Sequence, residues 1–81
     1  MRYLFSKKFV KSYGQLQTII QKKFDKQLGH LLKDVSYPSL QVKKYDKQKD
    51  IWQARVDKNY RFYFLIQNDL YILLDIRDHP K

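Results

Sequence analysis

The chain is short and strongly basic. Of its 81 residues, 43% are hydrophobic and 16% aromatic, with only two glycines and two prolines, a composition typical of a packed globule that excludes a disordered segment. Seventeen lysines and arginines against eight acidic residues give a formal net charge of +9. Such a charge attracts polyanions. The sequence therefore predicts one small domain over residues 1–81 with an anionic partner, of which nucleic acid ranks first and an acidic protein segment second.

Several classes of protein are disfavoured by what the sequence lacks. It has no cysteine, which excludes disulfides and thiolate metal sites and suits a reducing compartment. The run Met1 to Ser6 is too short for a secretion signal, and no apolar stretch approaches the roughly 20 residues of a membrane span. The two histidines lack metal-ligand spacing, and the glycines form no phosphate-binding loop. We expect a soluble cytoplasmic protein with no membrane association, no metal and no cofactor.

The N-terminal half is predicted to form a short strand followed by two helices. Tyr3 to Phe5 has the pattern of a strand, and Ser6 stands at the N-cap position of a helix over Lys7 to Tyr13. Gly14 is predicted to end that helix. From Gln15 onward, apolar residues recur at i, i+3 and i+4, which indicates a long amphipathic helix. These apolar residues are Leu16, Ile19, Ile20, Phe24, Leu28, Leu31, Leu32 and Val35.

The C-terminal half is predicted to form a β meander. Pro38 ends the long helix, because proline cannot donate and the residue before it avoids the helical region. Polar loops at 46–50, 57–59 and 67–69 separate strands that are predicted over Leu40–Tyr45, Ile51–Val56, Tyr60–Ile66 and Leu70–Arg77. The order predicts an α+β fold, in which a bent pair of helices packs on one face of a single sheet. The apolar stripe that joins the two helices is Phe5, Phe9, Tyr13 and Leu16.

Alternation of side chains predicts one apolar and one basic, aromatic sheet face. In the last strand Leu70, Ile72, Leu74 and Ile76 are expected on the apolar face. The other face is expected to carry Lys43, Tyr45, Gln53, Arg55, Arg61, Tyr63, Tyr71, Leu73, Asp75 and Arg77. A three-residue loop at 57–59 puts Arg55 opposite Arg61, which is an unfavourable pair of like charges. A three-residue loop at 67–69 puts Arg61 opposite Asp75.

Two interpretations of the arginines remain open. Most charges on an open sheet face are solvated, and Asp75 would then neutralise Arg61. Alternatively, Arg55, Arg61 and Arg77 hold a phosphate, for which guanidinium groups are suited. The tyrosines of that face would stack on bases, and His79 would transfer protons near neutral pH. His30 lies off the apolar stripe and is assigned no chemistry, while the lysines at 43 and 44 fit either phosphate contact or protection of a sheet edge.

Four segments together form a recognisable pattern. They are Tyr37-Pro38-Ser39-Leu40-Gln41-Val42-Lys43-Lys44, Ile51-Trp52-Gln53-Ala54-Arg55-Val56, Tyr60-Arg61-Phe62-Tyr63-Phe64 and Ile76-Arg77-Asp78-His79. The pattern resembles the RelE/ParE toxin superfamily of bacterial type II toxin-antitoxin systems, and its RelE-like branch in particular. Toxins of that branch enter the ribosomal A site and cut mRNA through attack of the 2′-hydroxyl on the adjacent phosphate. ParE toxins poison DNA gyrase instead, and antitoxins wrap both kinds.

The resemblance implies roles for individual residues. Arg61 matches the arginine that stabilises the charged phosphate, Arg55 matches a second basic sheet residue, and His79 matches a position that often supplies an acid or a base. Gln53 and Pro80 depart from the pattern, since relatives can have a lysine or glutamate at the first position and a tyrosine at the second. The remaining residues assigned to RNA or phosphate binding are Lys43, Lys44, Arg77 and Tyr63.

The function implied is that of a ribosome-dependent mRNA endoribonuclease that inhibits translation, with a cognate antitoxin and mRNA on the ribosome as partners. Two alternatives stay open. One is a non-nuclease toxin of the ParE type, which acts on DNA gyrase. The other is a catalytically inactive relative that only binds its antitoxin or RNA.

Overall fold

A computed structural model describes residues 2–79, which form two α-helices, a 3₁₀ turn and a five-stranded sheet. The elements in chain order are strand β1 (Arg2–Phe5), helix α1 (Lys7–Gly14), helix α2 (Thr18–Lys33), the 3₁₀ turn (Pro38–Leu40), and strands β2 (Lys43–Asp46), β3 (Ile51–Arg55), β4 (Tyr60–Gln67) and β5 (Leu70–Asp78). The strand order is β1-β5-β4-β3-β2, with β1 parallel to β5 and the other pairs antiparallel. The predicted α+β fold, with its helices packed on the sheet, is confirmed.

Ser6 directs the chain from β1 into α1. Its Oγ accepts a hydrogen bond from the backbone N–H of Phe9 at 3.0 Å, which is the predicted N-cap. The same hydroxyl donates to the carbonyl oxygen of Leu74 at 3.0 Å. Ser12, one and a half turns later, donates to a carboxylate oxygen of Asp75 at 2.7 Å. Helix α1 therefore lies along the part of β5 that extends beyond the four-residue strand β1.

Aromatic rings connect both helices to one face of the sheet. Phe9 of α1 stacks on Phe5 of β1, with ring centroids 5.0 Å apart, and contacts Phe24 of α2 at 5.1 Å. Phe24 then meets Phe62 of β4 edge-on at 5.1 Å. Burying an aromatic side chain contributes about 1.5–3 kcal/mol, so this series is a major part of the core. It confirms that the helices form a pair on the same sheet face.

The buried stripe of α2 is narrower than the sequence predicts. The helix buries Ile20, Phe24, Leu28 and Leu31. Ile19 is 60% exposed and Val35, beyond the helix end, is 39% exposed. These four buried residues are spaced four, four and three apart, so they lie on one side of a helix with 3.6 residues per turn. Ile19 is rotated from Ile20 by about 100° around the helix axis and points away from that side. The expectation that Ile19 and Val35 belong to the core was wrong.

The segment before β2 also differs from the prediction. Leu40 is fully buried at the end of the 3₁₀ turn, and Gln41 has a left-handed backbone with φ 47°. This turn delays the strand, which begins at Lys43 instead of Leu40. The buried Leu40 anchors the connection between α2 and the sheet.

Strand β5 shows the largest departure from the predicted register. Asn68, with φ 56°, begins a two-residue turn, so Ile66 pairs with Tyr71. A β-bulge at Leu74 then allows Leu73 to pair with Phe64 while Asp75 pairs with Tyr63. Tyr71 and Leu73 are consequently buried in the core, 4% and 0% exposed. The assignments of Leu70, Ile72 and Leu74 to the core face, and of Tyr71 and Leu73 to the other face, were wrong.

The bulge predicts a clear difference between two neighbouring leucines. Leu73→Ala should lower the free energy of unfolding by about 2–5 kcal/mol, because it leaves a cavity in a packed core. Leu74→Ala should cost only about 1 kcal/mol, since Leu74 is partly exposed. Urea unfolding of both variants with equal m-values provides the measurement. A larger loss for Leu74→Ala would indicate simple alternation without the bulge.

Candidate functional site

Three arginines lie side by side across the sheet. Arg55 of β3 pairs with Arg61 of β4, as predicted, and Arg61 pairs with Arg77 of β5. Their neighbours Ala54 and Phe62 belong to the core, so the arginines point away from the helices. Adjacent strands are about 4.8 Å apart, which makes this arginine row about 10 Å long. The prediction that Arg61 faces Asp75 was wrong, because the bulge moves Asp75 opposite Tyr63.

Positive charge in the arginine row is largely unneutralised. Within residues 2–79, neither Arg55 nor Arg61 forms an ion pair. Arg61 donates through Nη1 to the carbonyl oxygens of Asp57 and Tyr60, at 2.7 and 3.0 Å. The Nε of Arg55 is buried and has no hydrogen-bond partner in the described part of the chain. Like charges on directly paired strand positions are destabilising, so an anion placed here would relieve repulsion.

Arg77 lies against two tyrosines at the other end of the row. Its guanidinium carbon is 4.7 Å from the ring centroid of Tyr63, and Nη2 donates to the hydroxyl of Tyr45 at 3.3 Å. Nε is 3.9 Å from a carboxylate oxygen of Asp75. Partial burial acts to lower the pKa of Arg77, but the oxygens of Tyr63, Tyr45 and Asp75 outweigh it and raise the pKa above its usual value. Arg77 is therefore a fixed cation.

A cleft of about 300 Å³ opens beside Arg77, and we call it the tyrosine cleft. Its lining residues are Tyr45, Tyr63, Arg77, Asp78 and His79. The rings of Tyr45 and Tyr63 meet at 61° with centroids 4.8 Å apart. Tyr45 remains 52% exposed, which leaves it able to contact a ligand. The backbone N–H of His79 donates to the carbonyl oxygen of Asn59 at 2.7 Å, and this bond fixes the chain next to the cleft.

A second row of side chains crosses the same face. In register from β2 to β5 it contains Lys43, Gln53, Tyr63 and Asp75. Gln53 is only 6% exposed, and its neutral amide cannot accept a proton at physiological pH. Lys43 is exposed at the sheet edge. The row brings Lys43 and Tyr63 onto the predicted face but supplies no general base at Gln53.

Two predicted site residues lie elsewhere. The ammonium of Lys44 is 4.1 Å from the ring centroid of Trp52 and pairs with Asp50. It is therefore separated from the arginine row, because Trp52 packs against the core on the opposite side of the sheet. Tyr71 belongs to the core and is unavailable for stacking on a base. Pro80, where the sequence departs from the toxin pattern, lies outside the described residues.

The turn between β3 and β4 depends on Asp57, which the sequence did not single out. Its carboxylate accepts hydrogen bonds from the N–H groups of Asn59 and Tyr60, at 2.8 and 2.9 Å, and from Lys23 at 3.1 Å. Burial acts to raise the pKa of Asp57, but these donors outweigh it and lower the pKa below its usual value. The ionised carboxylate thus stabilises the turn that presents Arg61. An Asx-type Asp before Lys58-Asn59 was the available sequence signal.

The described residues show no cluster of three potential metal ligands. None of the helices within residues 2–79 is long and apolar enough to cross a membrane.

Comparison with known proteins identifies the fold through structure alone. No family model and no curated protein matches the sequence. The YoeB/ParE toxin from Agrobacterium tumefaciens superimposes with a TM-score of 0.81 at 10% identity, covering 99% of this chain and 100% of that chain. A chain of the RelB-RelE antitoxin-toxin complex from Methanococcus jannaschii gives 0.77 at 21% identity, covering 93% and 88%. A chain of the YoeB-YefM toxin-antitoxin complex from Staphylococcus aureus gives 0.78 at 13% identity, covering 99% and 98%. The chain has the fold of the RelE and YoeB toxins, so the fold that the resemblance implies is confirmed.

Proposed function

We propose that this protein is the toxin of a type II toxin-antitoxin system and acts as a ribosome-dependent mRNA endoribonuclease. The observation that carries the proposal is the arginine row, which ends at a cleft that contains His79. A row of cations with little neutralising charge is costly to a fold and suits a phosphate ligand. The similarity of the fold to solved RelE and YoeB toxins also supports the proposal.

In the proposed reaction the arginine row binds the scissile phosphate. Attack by the 2′-oxygen on phosphorus forms a new P–O bond, and the bond to the 5′-oxygen breaks. Charge that develops on the nonbridging oxygens is stabilised by Arg61 and Arg55, as preorganised cationic donors do. Arg61 uses Nη1 for the turn carbonyls, so its Nε and Nη2 donors remain for phosphate. Because the nucleophile is the 2′-hydroxyl, DNA is not a substrate.

Proton transfer is assigned to His79. The net reaction moves one proton from the 2′-hydroxyl to the departing 5′-oxygen, and the products are a 2′,3′-cyclic phosphate and a free 5′-hydroxyl. An imidazole can accept and return a proton near neutral pH. His79 lines the same cleft as Arg77 and Tyr63, so a base stacked on the tyrosines would place the reacting ribose next to it. Gln53 leaves no competing base in the centre of the sheet.

A cognate antitoxin is the proposed protein partner. Two of the similar structures are complexes of a toxin with its antitoxin, RelB-RelE and YoeB-YefM. The charge of +9 favours an acidic antitoxin segment. Such a segment would neutralise the arginine row and exclude RNA from it, which would keep the toxin inactive until the antitoxin is removed.

Replacing Arg61 tests the phosphate-binding role. Arg61→Ala should reduce mRNA cleavage by about 10²–10³-fold, the loss expected for one charge-stabilising donor, and should relieve growth arrest. The measurement is mapping of mRNA 5′-hydroxyl ends after induction in a bacterial cell. Arg2→Ala is the matched control, because Arg2 is an exposed arginine on β1 that pairs with Asp69, and it should leave cleavage intact. A folded Arg61→Ala protein that still cuts mRNA would refute the assignment.

Replacing His79 separates a nuclease from a gyrase poison. His79→Ala removes the proposed proton carrier and should lower cleavage by about 10²–10⁴-fold, the usual contribution of general acid-base catalysis. His79→Lys and His79→Ala should differ in the pH profile of residual cleavage, because only lysine keeps a titratable group. Growth arrest that persists in His79→Ala without any new RNA ends would redirect the assignment to DNA gyrase.

A further inference from the structure

A second basic cleft lies at the opposite end of the arginine row from the tyrosine cleft. It has a volume of about 470 Å³ and is bounded by α2, the 3₁₀ turn and the β3–β4 turn. Four cationic residues line it, namely Lys23, Lys26, Arg55 and Lys58, and Arg55 contributes its backbone carbonyl, which accepts from Gln27. Asp57 is the acid among its lining residues, and its carboxylate is already bonded to Lys23 and to turn N–H groups. The cleft therefore has a strong net positive charge.

We call this second basic cleft the α2 cleft. Its neutral polar groups form hydrogen bonds with one another. The side-chain amide of Gln27 donates to the carbonyl oxygens of Ser39 and Arg55, at 3.2 and 2.8 Å, and accepts from the hydroxyl of Ser39 at 3.0 Å. Gln27 is 7% exposed, so this network holds α2, the 3₁₀ turn and β3 in place. Within residues 2–79, Lys26 and Lys58 have no ion-pair partner. The floor of the cleft is preorganised while its cations remain available.

An aromatic pair forms one wall of the α2 cleft. The rings of His30 and Tyr37 are stacked, with centroids 3.9 Å apart and an interplanar angle of 7°. Tyr37 keeps 39% of its surface exposed. A flat aromatic surface next to cations is the combination by which proteins bind single-stranded nucleic acid, with a base on the ring and the backbone on the charges. An acidic peptide would use the cations alone.

We propose that the α2 cleft binds one nucleotide unit of single-stranded RNA, with its phosphate on Lys26 and Lys58 and its base against Tyr37. Arg55 belongs both to the arginine row and to this cleft, so a bound strand would continue from the scissile phosphate into it. The α2 cleft is thus a substrate subsite outside the reacting centre. The choice of RNA over other anions rests on the proposed nuclease function, but the cleft itself is tested by binding alone.

The test measures binding of a fluorescent single-stranded RNA of about ten nucleotides, within the roughly 4–16-nucleotide footprint of such sites, by anisotropy at several salt concentrations. Lys26→Ala combined with Lys58→Ala should flatten the slope of log K against log salt by about 1.4, since each phosphate contact to a single strand contributes about 0.7. Lys7→Ala combined with Lys11→Ala removes the same charge from α1, and we expect it to change the slope by less than half as much.

The aromatic wall has its own variant. Tyr37→Leu should weaken RNA binding by about 5- to 150-fold, the equivalent of losing one stacked base, at an unchanged salt slope. Tyr37→Phe should retain the affinity, and circular dichroism of each variant checks folding. Equal losses in the two lysine pairs, or full affinity in a folded Tyr37→Leu, would overturn the proposal. Competition by an acidic peptide that depends on Lys26 and Lys58 while Tyr37→Leu binds RNA normally would also overturn it, in favour of a protein partner.

The binding test and the cleavage test can reject their two proposals independently of each other. Absence of RNA cleavage together with Tyr37-dependent binding would reject the nuclease and keep the RNA subsite. Cleavage that depends on Arg61 but is insensitive to the α2 cleft variants, in both binding and cutting, would keep the nuclease and reject the subsite.

Discussion

The β-bulge at Leu74 determines which residues of β5 reach the core and which reach the arginine row. Before the bulge, Tyr71 and Leu73 pack beneath the helices, and after it Asp75 and Arg77 point to the opposite face. The inserted residue reverses the alternation, so an apolar segment and a charged segment each face a suitable environment. Helix α1 secures this point, because the hydroxyl of Ser6 donates to the carbonyl oxygen of Leu74. The site therefore depends on an irregularity that the helix-side packing stabilises.

The arginine row opposes stability, and the surrounding structure limits the cost. Arg61 is turned toward two carbonyl oxygens of the β3–β4 turn, while Arg77 lies on Tyr63. The backbones of these two arginines are in register, but their guanidinium groups have different partners. Favourable contact of a cation with an aromatic ring contributes about 0.5–2 kcal/mol, which offsets part of the repulsion. Within residues 2–79 the buried Nε of Arg55 has no hydrogen-bond partner, and an unpaired buried donor lowers stability.

Sequence patterns predicted the elements of this fold better than their register. The N-cap at Ser6, the end of α1 at Gly14 and the pairing of Arg55 with Arg61 follow from local chemistry and loop length. The bulge at Leu74 could not be predicted, because every residue from Leu70 to Leu74 is apolar or aromatic. The segment therefore has no alternation of apolar and polar residues that would show which side chains face the core. For the same reason Tyr71 was assigned to the wrong face. The contact of Tyr45 with Arg77 spans β3 and β4, and no local sequence signal predicts it.

The two clefts would let a domain this small contact an extended ligand along the proposed binding face. The tyrosine cleft and the α2 cleft lie at opposite ends of the arginine row, and each combines cations with an exposed aromatic ring. The helices contribute to the core on one sheet face, but α2 also contributes Lys23, Lys26 and His30 to the lining of the α2 cleft. Substitutions on the outer surface of α2 would therefore alter binding without touching the arginines. A polymer that spans the arginine row would contact both clefts, and the combined contacts would raise its affinity. A single phosphate would contact only the centre of the row.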